Sequence, residues 1–277
     1  MLLGKAVKVD EILTEKNKMK FEIVLSYANI NKKEGVVSPI TYQTSNGDFV
    51  VVPTYLGVGS SNQDYINYGF SFKYGLSKKL ELFSNLNFFT NTTHTNNTLF
   101  STQYEHGFNS LNVGLTYEVK KENDTPFLLI GGSINPVERV LFSKSRKNLN
   151  FKSFTLFATS YYTVDPVVFV MNANYRVNRK KRYRDETIHS GNILSVSPSI
   201  YFAVNPYTSI SWGIKYAFKA KDKINNNIVS NSDSSLSYLF GASYEISSKY
   251  TINADFEKKD TNDYSSNTVN FTLSYKF

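Results

Sequence analysis

Asn270-Phe271-Thr272-Leu273-Ser274-Tyr275-Lys276-Phe277 closes the sequence with an unbroken alternation of polar and apolar residues. In a β-strand, side chains two apart share a face. Phe271, Leu273, Tyr275 and Phe277 therefore form one apolar face, and Asn270, Thr272, Ser274 and Lys276 a polar one. The same two-residue period recurs upstream. Tyr250, Ile252, Ala254 and Phe256 oppose Thr251, Asn253, Asp255 and Glu257, while Ile210, Trp212, Ile214, Tyr216 and Phe218 oppose Ser209, Ser211, Gly213, Lys215 and Lys219. Val167, Phe169, Met171, Ala173 and Tyr175 oppose Asn172, Asn174 and Arg176. Leu111, Val113, Leu115 and Tyr117 oppose Asn112, Gly114, Thr116 and Glu118, and near the start Met19, Phe21, Ile23, Leu25 and Tyr27 oppose Lys20, Glu22 and Ser26.

No charge falls on the apolar face of these strands, where one would cost about 2–4 kcal/mol at a bilayer midplane. The charges gather on the other face with mixed sign. A soluble β-sandwich also alternates, but it turns its polar face outward and its strands are commonly about 5–6 residues long. The alternating runs here are longer and match a membrane crossing of about 9–11 residues. Composition agrees. The chain of 277 residues holds 20 Tyr and 21 Phe, yet its mean hydropathy is only -0.32. Abundant aromatics with little net hydrophobicity suit a transmembrane barrel, in which alternate residues face lipid and a polar lumen. No apolar run approaches the roughly 18 residues of a transmembrane helix.

The connections alternate in length. Short ones lie at Ser77-Lys78-Lys79, Lys120–Pro126, Val164-Asp165-Pro166, Asn205-Pro206-Tyr207 and Ser247-Ser248-Lys249; long ones span 91–106, 136–149, 179–191, 221–233 and 259–267. Short periplasmic turns and long external loops are the habit of outer-membrane barrels. Counting back from an inward-running last strand predicts twelve strands, near 18–29, 66–76, 80–90, 107–119, 127–135, 150–163, 167–178, 192–204, 208–220, 234–246, 250–259 and 268–277. The expected fold is all-β: an antiparallel up-and-down transmembrane β-barrel over residues 18–277, after a periplasmic tail at 1–17. The run Phe49–Val58 resembles a thirteenth strand, but an odd number would separate the termini. Residues 31–63 are therefore read as one long first external loop, such as a hairpin that folds over the mouth or into the lumen. Met1-Leu2-Leu3-Gly4 runs straight into Lys5 without the apolar stretch of about 7–15 residues that a signal peptide needs, so an outer-membrane location implies a signal sequence absent from this chain.

The turns carry a family resemblance. Tyr74-Gly75-Leu76-Ser77-Lys78-Lys79-Leu80-Glu81-Leu82, Asp165-Pro166-Val167-Val168-Phe169 and Ala203-Val204-Asn205-Pro206 resemble outer-membrane barrels of the phenol-degradation MetA-pathway and functional-amyloid export channel type. The resemblance spans roughly 18–277 and implies a twelve-stranded channel, assembled as a homotrimer and plugged or gated by a periplasmic helical region; this sequence shows no long helical region of that kind. The final strand also resembles the signal read by the barrel-insertion machinery, through Asn270, Tyr275 and Phe277; Thr272 stands where that pattern usually has glycine.

Twelve strands leave a narrower lumen than the 16–18 of a porin. The expected pore-lining residues are Lys20, Glu22, Lys73, Glu81, Glu118, Arg176, Lys215, Lys219, Asp255 and Glu257. Counted along the lumen faces, with Lys276 added, positive and negative charges nearly balance, so strong ion selectivity is not expected. The basic run Arg179, Lys180, Lys181, Arg182 and Arg184 reads as a solvated loop, or as a clamp on lipopolysaccharide phosphates, which suit guanidinium forks. Asp185, Glu186 and His189 are close in sequence, but no catalytic constellation stands out. With no Cys and no His pair at ligand spacing, neither metal nor cofactor is expected. The strand-face aromatics have a lipid explanation, so nucleic acid is not an expected partner. The expectation is a non-enzymatic outer-membrane channel that passes a small solute or secretes an unfolded polypeptide. The alternative is a non-conducting surface barrel whose loops bind lipopolysaccharide or a partner.

Overall fold

The computed structural model describes residues 13–32, 40–44, 47–52, 60–95, 102–142 and 145–277. Twelve long strands form the wall. They are β1 (Met19–Lys32), β4 (Ser61–Gly75), β5 (Leu80–Thr95), β6 (Thr102–Lys120), β7 (Phe127–Phe142), β9 (Ser153–Val164), β10 (Val167–Asn178), β13 (Ile193–Asn205), β14 (Thr208–Lys219), β17 (Asp233–Ser247), β18 (Tyr250–Asp260) and β19 (Tyr264–Lys276). Neighbours in sequence are neighbours in space and antiparallel. The ring closes where β19 pairs with β1, from Lys20 opposite Lys276 to Lys32 opposite Tyr264. Closure leaves no edge strand, which is what a bilayer requires of a sheet that crosses it.

The exterior is built by the predicted apolar face. Phe271 is 52% exposed, and Ile23, Leu25, Met171, Trp212, Tyr238 and Leu273 also point outward. At the periplasmic end of the seam the rings of Tyr250 and Tyr275 lie 4.7 Å apart, and those of Tyr275 and Phe277 4.5 Å apart. This is the interfacial aromatic girdle expected of a barrel. The lumen side carries Ser26, Asn67, Ser71, Asn85, Asn112, Asn270 and Thr272, all buried.

The external connections differ from the sequence expectation. Strands run from 11 residues in β18 to 19 in β6, so several loops are wall strands that continue past a membrane crossing. The stretch expected as a loop at 259–267 is mostly strand, with a turn at Thr261-Asn262-Asp263. The stretch 91–106 is absorbed into β5 and β6 at both ends, and within 136–149 β7 runs on to Phe142 and pairs with β8 (Ser145–Leu149). The loops after β10 and β14 fold together as a four-stranded sheet of β11 (Lys181–Tyr183), β12 (Glu186–His189), β15 (Asp222–Ile224) and β16 (Asn227–Ser230). Asn225 and Asn226 both have positive φ in the turn joining β15 to β16, a two-residue hairpin turn that Asn tolerates. This sheet packs Ile188, Tyr183 and Ile224 against Val140 and Phe142 of β7.

The segment 31–63 is shorter as a loop than expected. Residues 31–32 belong to β1 and 61–63 to β4. Between them, β2 (Ile40–Gln43) and β3 (Phe49–Val52) form an antiparallel pair, so the apparent thirteenth strand is one arm of a hairpin rather than a wall strand. Val50 and Val52 are fully buried, and Ile40 and Val52 pack with Ala28, Ile30, Tyr65 and Phe89 of the wall. Those four wall residues are apolar side chains on the lumen face, where the alternation otherwise puts polar ones. They are the complementary surface that draws the hairpin inside.

Candidate functional site: the plugged lumen

The hairpin is tied to several sides of the barrel. Arg176 on β10 donates through Nη1 to the Phe49 carbonyl at 3.3 Å. Asn87 on β5 donates to Asp48 at 2.8 Å, and Asn109 on β6 to the Val51 carbonyl at 3.0 Å. On the opposite wall, Tyr42 donates to Asn270 of β19 at 3.5 Å, and its ring meets that of Tyr65 edge-on. Asp48 belongs to the hairpin, not to a crossing strand, and its burial pushes the carboxyl up to about 6.

A second inserted segment enters from the periplasmic end. Lys16 bridges to Gly75, the Thr14 N–H donates to Glu81 at 2.7 Å, and Leu13 packs on the lumen-facing group Phe127, Leu129, Tyr161 and Val168. The part of the predicted tail before residue 13 lies outside the described residues. Between Leu13 and the hairpin tip at Thr44, Gly47 and Asp48 lies a cavity of about 500 Å³. Leu129, Phe157 and Tyr201 give its lining apolar and aromatic surface. Other parts of the lining are polar, with Ser243, Asn253, Asp255 and Thr272. Gly131 lets Phe157 lie flat against the wall, since a Cβ there would overlap the Phe157 ring.

The ten expected lining residues do not act as one set. Glu22 pairs with Lys20 at 2.8 Å and Lys73 at 3.0 Å, near the periplasmic end. Lys215 and Glu257 pair at 2.5 Å. Glu81 holds the tail, Glu118 is buried low on β6, and Asp255 lines the cavity. Arg176, only 1% exposed, pairs across β9 with Glu138 at 3.3 Å, and Lys219 pairs with Asp222 at 2.8 Å. Sequence reading missed Asp48, Glu105, Glu138 and Asp222. Glu138 and Asp222 sit in stretches taken for solvated loops, although Glu138, Val140 and Phe142 share one face at strand spacing.

The basic run is divided. Arg179, Lys180, Arg182 and Arg184 are exposed, but Lys181 is 3% exposed and pairs with Glu138 at 3.2 Å. Alternation along β11 turns Lys181 inward and Arg182 outward, so Lys181 is not available to a phosphate in solvent. Around Tyr183, Lys147 and Arg184 stack on the ring at 4.8 and 5.3 Å. Asn270 faces the lumen, while Phe277 is exposed outside.

A closed ring of twelve antiparallel strands, with an apolar aromatic exterior and a polar interior, defines a bacterial outer-membrane β-barrel. The chain belongs to the outer membrane protein beta-barrel domain family, whose model matches residues 130–277. No curated protein matches it by sequence. Among solved structures, an outer membrane channel from Pseudomonas putida F1 superimposes with a TM-score of 0.68 at 10% identity, covering 98% of this chain and all (100%) of that one. The translocator domain of the autotransporter NalP from Neisseria meningitidis gives a TM-score of 0.57 at 9% identity, with 94% of this chain and 88% of that one covered. A Pseudomonas aeruginosa FadL homologue gives 0.50 at 9% identity, with 94% and 90% covered.

Proposed function

We propose that this protein is a passive outer-membrane channel for small polar solutes, held closed by the 40–52 hairpin and the segment around Leu13. The observation that carries the reading is the cavity of about 500 Å³ enclosed between these two segments, with hydroxyl and amide side chains along its wall. Both plugs are held by a limited set of contacts and neither belongs to the wall, so each can withdraw without opening it. No chemical step is proposed, and the transport needs only diffusion. The structural neighbours, an outer-membrane channel and a translocator domain, support a path through the lumen in general. Between the two cargoes that the family resemblance suggests, the size of the cavity favours a small solute. An unfolded polypeptide needs the whole cross-section and hence both segments removed.

The exposed residues Arg179, Lys180, Arg182 and Arg184 support a second role on the same barrel, in holding lipopolysaccharide phosphates at the external rim.

Planar-bilayer recording tests the main reading. The full chain is expected to give small stepwise conductances, and a variant with 40–52 replaced by a short glycine-serine linker larger ones. A folded barrel that conducts in neither form counts against a channel.

A further inference from the structure

A second cavity, of about 80 Å³, lies toward the external end of the lumen, between the hairpin and the wall strands β14, β17, β18 and β19. Its lining takes in Ile40 and Thr41 of the hairpin, Ser235 of β17, Lys259 of β18, and Asn231 and Asp263 of the external connections. The large cavity reaches the other end of the same strands, where Ser209 of β14 and Ser243 of β17 lie near the periplasmic turns. Three residues line both spaces: Gln43 of the hairpin, Lys215 of β14 and Glu257 of β18. The two cavities therefore meet at one neck, and the Lys215–Glu257 ion pair, at 2.5 Å, closes it.

The position of the pair follows from the register. Lys215 lies opposite Ser237 of β17, and Glu257 opposite Leu239 of the same strand, so the two long side chains meet across β17. Ser237 is buried and too short to take up that space itself. On β14 the neighbouring lumen residues are also short, Gly213 on the large cavity and Ala217 on the small one. A pair of flexible side chains can part without moving the backbone. Both are 12% exposed, so water reaches each charge when they separate. The bonds that hold the hairpin come from β5, β6, β10 and β19. The segment around Leu13 is held by Gly75, Glu81 and the Phe127 group. Opening the neck breaks none of these contacts.

We propose that solutes cross with the hairpin still docked, along β14, β17 and β18, and that parting of the Lys215–Glu257 pair opens this route. The inference rests on the channel reading above and deepens it. The small conductance of the full chain belongs to the route beside the hairpin, and the larger one of the hairpin-replaced variant to the whole lumen. The pair also sets the charge preference of the neck, because a pore is selected by the charges at its constriction. Without Glu257, Lys215 and Lys259 remain on the same face, and Lys259 donates only to the Tyr264 hydroxyl among the hydrogen bonds described.

Single-channel recording in potassium chloride tests it in two ways. The chain has no Cys, so an introduced one is the only thiol. Ala217→Cys puts it in the small cavity, on the route. Ser110→Cys puts it behind the hairpin, where Ser110 meets Asn87, the residue that holds Asp48. A bulky methanethiosulfonate is expected to cut the current of Ala217→Cys by more than half within minutes and to leave that of Ser110→Cys near its starting value. In the second test, Glu257→Gln is expected to raise the conductance of the full chain several-fold and to move its reversal potential toward chloride. The same substitution in the hairpin-replaced variant should change conductance little. Equal block at both cysteines, or block at Ser110→Cys alone, means that the hairpin leaves during conduction and overturns the proposal. So does block at neither position, or a conductance that Glu257→Gln leaves unchanged. If the full chain is silent and the hairpin-replaced variant conducts, the channel reading stands and the side route falls. If neither conducts, both fall.

Discussion

Arg176 on β10 and Glu138 on β7 meet at 3.3 Å, with both side chains almost wholly buried and a strand between them. Ser153 on that strand bridges them, accepting from Arg176 Nη2 and donating to Glu138 Oε2, each at 2.9 Å. The same guanidinium holds the Phe49 carbonyl, and Lys181 of the external sheet reaches Glu138 at 3.2 Å. One pair thus joins the barrel wall, the inserted hairpin and the external cap.

Replacing Arg176 by Met should therefore loosen the plug and destabilise the barrel together. Removing one partner of a buried pair costs about 3–5 kcal/mol; Lys181 remains beside Glu138, so the expected loss lies toward the lower figure. Urea unfolding in vesicles measures the loss, and single-channel recording should show more frequent opening. Restored stability in Arg176→Met, Glu138→Gln with opening still frequent would separate the two effects.

Asp48 gives the plug a pH dependence. Its carboxyl is raised to about 6 when the hairpin is docked, against an ordinary value of about 3.9 when it is released. A group raised in the docked state stabilises that state fully below its released value, and the contribution is lost as pH rises through its docked one. The closed form should accordingly be longer-lived at about pH 5 than at about pH 7.5. Asp48→Asn should remove that dependence and keep the channel closed more of the time. Open-time distributions at the two pH values check it, and a closed lifetime that lengthens with rising pH contradicts it.

The basic run should separate by direction of side chain. Neutralising Arg179, Lys180, Arg182 and Arg184 to Gln should weaken binding to lipopolysaccharide micelles with little change in melting. Lys181→Met alone should lower stability by about 1–3 kcal/mol and leave lipopolysaccharide binding near the parent's. Sedimentation with labelled lipopolysaccharide and thermal gel shift distinguish the two; equal binding after the fourfold change removes the phosphate clamp.

Phe271 faces lipid at the middle of the last strand. Phe271→Arg should cost about 2–4 kcal/mol in vesicle unfolding if it sits at the midplane. Thr272→Arg, one position along on the lumen face, should perturb conductance more than folding. An equal cost at both positions would contradict the assigned faces.

The two-residue period of the strands was readable in the sequence because it is a local property. A strand's side chains alternate whatever the partner, and a bilayer tolerates charge on one face only. Ring closure, strand number and the outward position of Phe271, Trp212 and Ile23 follow from it. Apolar Ala28, Ile30, Tyr65 and Phe89 on the lumen face were in principle legible too, as the mark of something packed inside.

What occupies that surface was not a local property. The path of 40–52 depends on barrel closure, which brings β1, β5, β10 and β19 around one hairpin although they are far apart in sequence. Pairing among the lumen charges is decided in the same way. Glu138 takes Arg176 and Lys181 from strands beyond its neighbour, a pairing that counting charges along each strand does not give. The sequence by itself determined the wall, because lipid imposes one rule on every strand. Only the tertiary structure decided the interior, because there each charge is answered by whichever partner the closed ring brings within reach.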